Sequence, residues 1–124
     1  MFAFNNVELD LNKNKKMDDL NFSDAITRSL KIRELYHELE RVHHGSEWTV
    51  EEDALAFLTD AGLVGRHTMS QQGSWPAGKD SKAELEHKLG ESIWWLVVLA
   101  DRMEIDIQDA LGQFLTKTEK LLGK

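Results

Sequence analysis

Cysteine is missing from all 124 residues, so neither a disulfide nor a thiolate metal site is available, which fits a reducing compartment. Proline occurs once, at Pro76, so helical patterns elsewhere run without an interior breaker. Positive charge is also short: 15 Lys and Arg stand against 22 Asp and Glu, a net charge of −7. A protein that binds a nucleic-acid polymer electrostatically clusters Lys and Arg against phosphates, and the LysAsnLysLys run at 13–16 is too short for that. Long apolar runs are absent. The longest, IWWLVVLA from Ile93 to Ala100, falls well short of the ~20 residues of a membrane span. The N-terminus, MFAFNNVELDLNKNKK, turns polar and acidic too early for a secretory signal. These exclusions leave a soluble, cytoplasmic chain, long enough for one domain with its own core.

What is present is helical periodicity. Phe2, Phe4, Val7, Leu9 and Leu11 alternate with other residues, so residues 1–22 read as an N-terminal arm outside the domain at 23–124. Ser23 is the expected N-cap of a first helix, with Ile26, Leu30, Ile32, Leu35, Leu39 and Val42 at helical spacing. Its other faces carry Arg28, Lys31, Arg33, Glu34, Glu38, Glu40 and Arg41. His43 and His44 close it before Gly45. Neighbouring helical residues point about 100° apart, so these two histidines suit the negative helix end better than a shared metal ion.

Thr49 and Glu52 form a T-x-x-E capping box behind Trp48, opening a second helix from about Val50 to Met69. Leu55, Leu58, Ala61 or Gly62, Gly65 and Met69 form its apolar side. Two interior glycines each cost about 1 kcal/mol relative to alanine, which suggests close helix packing or space for a ligand, packing being the commoner cause. SQQGSWPAGKD, residues 70–80, reads as a loop carrying Trp75. That side chain either plugs a groove at the edge of the core or stacks on a base.

Ser81 and Glu84 make a second capping-box pattern and open the helix that organises the chain, ELEHKLGESIWWLVVLADRMEIDIQD. Leu85, Leu89, Ile93, Leu96, Leu99 or Ala100, and Met103 recur at intervals of three or four. Ile93–Ala100 is apolar all round and needs cover on more than one side. A break at Ile105-Asp106, with Asp106 or Glu104 as N-cap, precedes a last helix bearing Ile107, Leu111, Phe114, Thr118, Leu121 and Leu122. The fold class expected is an all-α four-helix bundle, completed by dimerisation.

The half GESIWWLVVLADRMEIDIQDAL resembles the second half of MazG-like nucleotide pyrophosphohydrolases, through Glu91, Trp94, Leu99-Ala100-Asp101 and Ile105-Asp106. Upstream, FLTDAGLVGRHTM resembles the family's earlier acidic helix, and the likeness covers roughly residues 30–122. The resemblance implies a homo-oligomer, either a dimer or a dimer of dimers. It also implies Mg²⁺-dependent hydrolysis of a nucleoside triphosphate or deoxynucleoside triphosphate to the monophosphate and pyrophosphate. That chemistry uses four carboxylates, E-x-x-E on one helix and E-x-x-D on the next, because residues three apart share a face and Mg²⁺ takes oxygen ligands.

Here the four positions fall on Asp60, Leu63, Lys88 and Glu91. Two carboxylates remain, one position is apolar and one is cationic. In one reading, Lys88 stands in for the metal and bridges Asp60 and Glu91, while Leu63 joins the packing. In the other, Asp60 and Glu91 still ligate a metal, or Glu84, His87 and Glu91 supply a rearranged set. Lys88 then contacts a phosphate and Trp75 or Trp48 stacks on the base. The ion pair is the favoured reading, since a hard divalent cation binds poorly beside an ammonium. The corresponding function is a non-catalytic oligomeric protein that binds nucleotide or a protein partner.

Overall fold

The computed structural model describes residues 19–76 and 81–123. The expectations for residues 1–18 of the arm, and for residues 77–80 of the loop, lie outside them. The described residues form four helices, with no strand among them: α1 (Phe22–His44), α2 (Val50–Gln71), α3 (Ser81–Arg102) and α4 (Ile107–Leu121). The all-α class and the helix order are those the periodicity predicts.

Local chemistry accounts for most of the boundaries. Asn21, not Ser23, caps α1: its side-chain oxygen accepts the Asp24 amide at 2.8 Å, and the helix takes in Phe22. Asparagine and serine cap about equally well, and the third amide of the helix falls within reach of Asn21. At the other end Gly45 adopts φ 86, and its amide closes on the Arg41 carbonyl at 3.2 Å. A residue with a Cβ is strained in that left-handed conformation. The Thr49–Glu52 capping box forms in both directions, at 3.1 and 2.8 Å. Asp106 caps α4 by accepting the Asp109 amide at 3.0 Å.

α2 and α3 make the most extensive pairing, α1 packs on α3, and α4 makes a smaller contact with α3. The core is centred on α3, where Trp95 and Val98 are fully buried and Val97, Leu99 and Ala100 are buried too, the last two being members of the expected stripe. Here the structure corrects the expected core stripe. Leu89, Ile93, Leu96 and Met103 on α3 are exposed, as are Leu55, Leu58 and Met69 on α2. Ile93 is 58% exposed and Leu58 is 66% exposed, values that leave both faces without cover among the described residues. The periodicity located true apolar faces, but α1 and α2 pack on the opposite flank of α3.

A second finding concerns charge. Arg33 and Glu40, which lie off the apolar stripe of α1, are only 3% exposed, and Asp53 and Asp60 are buried completely or nearly so. The interior faces of α1 and α2 are polar because their charges neutralise one another across the helices.

Candidate functional site

Asp60 sits at the middle of α2, on the face turned towards α3, and is 1% exposed. Its two oxygens have different partners. Oδ1 accepts from Lys88 Nζ at 2.9 Å, and Oδ2 accepts from the Trp95 indole Nε1 at 2.8 Å. Lys88 Nζ also donates to Glu91 Oε1 at 2.9 Å, one turn along α3. One ammonium therefore bridges the two carboxylates that the family resemblance picks out, in the geometry the ion-pair reading requires. Burial alone would lower the Lys88 pKa. Hydrogen bonds and charge from Glu91 and Asp60 outweigh it and raise the group above its ordinary 10.5.

Aromatic side chains continue from Trp95 towards α1. Trp94 and Trp95 meet edge to face with centroids 4.7 Å apart, and Tyr36 meets Trp94 at 5.7 Å. Trp94 Nε1 donates to the Ser29 carbonyl at 3.1 Å, fixing α1 against α3. Burial and the nearby Glu91 charge raise the Tyr36 pKa against the opposing charge of Arg33.

A second network lies beyond Trp95. The Arg33 guanidinium stacks 5.9 Å from the Trp95 ring centroid, donates to Glu40 through both terminal nitrogens (2.7 and 3.3 Å), and reaches Asp53 Oδ1 at 2.9 Å. Arg102 completes it from α3, donating to Asp53 Oδ2 at 2.9 Å and to the Trp48 carbonyl at 2.7 Å. Glu40 also accepts the Trp48 amide at 2.9 Å, and His37 Nδ1 lies 3.2 Å from it. Burial raises the Glu40 pKa; the Arg33 hydrogen bonds, the Trp48 amide and His37 more than offset this, leaving it below its ordinary 4.5. Two arginines against two carboxylates make this cluster formally neutral.

The other candidates are dispersed. Glu84 lies 3.6 Å from His67 of α2, while the His87 side chain is 69% exposed and lies 3.7 Å from Glu91. Glu84, His87 and Glu91 thus do not converge on one point, and among the described residues no three His, Asp or Glu side chains gather as a metal-binding group. Leu63 is 36% exposed, so it borders the site without joining the core. Trp75 is half exposed and lies under the Arg66 guanidinium at 5.2 Å. Trp48 takes part through its backbone amide and carbonyl, at the second network.

Trp95, Asp53, Arg33, Arg102, Glu40 and His37 were not singled out by the sequence reading. Their signal is a spacing of seven, two helical turns on one face: 33 and 40, 53 and 60, then 88, 95 and 102. Asp60, Lys88 and Glu91 belong to the same polar stripes. No family model matches this chain, and neither any curated protein nor any solved structure matches it.

Proposed function

We propose that this chain is a non-catalytic, MazG-like helical protein that works as a homo-oligomer, with a lysine in the place of a metal ion. The observation that carries the reading is Lys88 Nζ, 2.9 Å from both Asp60 and Glu91. A divalent ion at that position would meet a positive charge that already satisfies both carboxylates, and Asp60 has its other oxygen engaged by Trp95. The exposed apolar faces of α2, α3 and α4 support the oligomer, since a monomer seldom exposes contiguous apolar surface on that scale. No helix among the described residues is long and apolar enough to cross a membrane. A cytoplasmic location goes with this reading.

The test is pyrophosphate release from a panel of nucleoside and deoxynucleoside triphosphates, with Mg²⁺, Mn²⁺ or EDTA, beside a Glu91→Ala control. The expected result is no turnover with any substrate from folded protein, and the same unfolding midpoint with Mg²⁺ as with EDTA. Turnover that needs metal and disappears in the control would overturn the reading. Asp60 and Glu91 would then be metal ligands and Lys88 a phosphate contact.

A further inference from the structure

The outer face of α2 has a pattern that nothing among the described residues uses. Leu55 and Leu58 are 63% and 66% exposed, and Met69 is 45% exposed. Between them lie Gly62 and Gly65, where an added Cβ would meet nothing within 4 Å. The five residues 55, 58, 62, 65 and 69 follow alternating three- and four-residue steps, the spacing of a helix-pairing seam. Counting around the helix, this seam lies opposite Asp53 and Asp60, which face α3. Its N-terminal half is bulky and flanked by Glu51 and Glu52. Its C-terminal half is hollow and flanked by Arg66, whose guanidinium is held over Trp75.

We infer that α2 is the contact between two copies of this chain, packed antiparallel on α2 of the second copy about a two-fold axis midway between Leu58 and Gly62. This rests on the oligomer proposed above and specifies its surface. In that arrangement Leu58 fills the gap over Gly62 of the second copy, and Leu55 fills the gap over its Gly65. Each contact occurs twice by symmetry. The acidic first turn of one helix runs beside Arg66 of the other. A parallel pairing sets leucine on leucine, glycine on glycine and Glu51 on Glu51, leaving holes at one end and like charges at the other. The seam is therefore complementary to itself in one direction only, and the glycines allow the close end of the usual 8–10 Å helix spacing.

The lack of cysteine makes the test direct. Leu55→Cys and Gly65→Cys proteins are prepared separately, mixed, re-equilibrated and oxidised, and the disulfide-linked species is measured. The expected outcome is a link in the mixture and little in either protein alone. Only position 55 of one copy and position 65 of the other come within the ~6 Å Cα separation a disulfide needs. In parallel, Gly62→Leu/Gly65→Leu should weaken self-association by more than about tenfold in light scattering, while circular dichroism shows the helices intact. An oligomer that is indifferent to both glycine substitutions and gives no mixed link overturns the α2 interface and leaves the oligomer to the α3–α4 face. A 14.2 kDa species at every concentration overturns the interface and the oligomeric reading together.

Discussion

Lys88 is held by two carboxylates in a place where few ammonium groups survive, and replacing it tests what that arrangement contributes. Lys88→Met leaves Asp60 charged and buried with only the Trp95 N–H, so unfolding free energy in urea should fall by about 3 kcal/mol. Adding Asp60→Asn should recover a large part of that loss, because the uncompensated charge is then gone. The titration of the same groups has a definite sign. A lysine whose pKa is raised in the folded state stabilises below its ordinary 10.5, and that contribution disappears as pH rises through the higher folded value. Glu40 works in the opposite sense. Its lowered pKa contributes stability above its ordinary 4.5, which is lost as pH falls through the folded value. The slope of stability against pH below 4.5 should therefore flatten in Glu40→Gln, although that variant is less stable at neutral pH.

The helix ends were the most legible elements, because caps are written in a few adjacent residues. Thr49 and Glu52 identify the start of α2 and Gly45 the end of α1, and both form; of the two candidates for the start of α4, Asp106 and Glu104, it is Asp106 that caps. Thr49→Ala removes the acceptor for the Glu52 amide and should cost about 1 kcal/mol, measured by chemical denaturation. The direction in which each helix faces was less legible. Apolar periodicity reports which side of a helix needs cover, but it does not distinguish cover from within the chain from cover by another chain. Hence Ile93 and Leu96 read as core yet lie exposed, while Arg33 and Asp53, off the apolar stripes, lie inside. Burial of Arg33 depends on Asp53, twenty residues away, and on Trp95 of α3. The seven-residue spacing of Arg33 and Glu40 marks a shared face of α1, but nothing within α1 says that Asp53 and Trp95 close over that face. The bridge from Lys88 to Asp60 and Glu91 was legible through the resemblance, since aligning two helices is enough to bring those three together.

At the scale of the whole molecule, a small apolar interior coexists with large apolar faces outside it. Only five apolar residues are buried among the described residues, against eighteen large apolar side chains that are exposed. The self-association proposed above would cover those faces and supply much of the hydrophobic stabilisation, so on that proposal the thermal midpoint should rise with protein concentration over the micromolar range. A midpoint independent of concentration, measured by scanning calorimetry, would contradict this. α4 has the most to gain from such association: none of its residues is buried, and Leu111, Phe114 and Leu115 are exposed on it.

The polar stripes of α2 and α3 also bear on how this chain avoids assembling wrongly. Leucine and valine tolerate exchange, so two apolar helices can slide past each other by a turn and lose little. Charges cannot. A four-residue slip of α3 in one direction places Glu84 opposite Asp60, carboxylate against carboxylate, and sets Val98 against Asp53 where Arg102 had been. A slip in the other direction places Ser92 opposite Asp60, with no cation. Each alternative buries a naked carboxylate, at several kcal/mol. The ion pairs thus act as teeth that mesh at one offset, and folding discards misaligned arrangements that an all-leucine interface would admit.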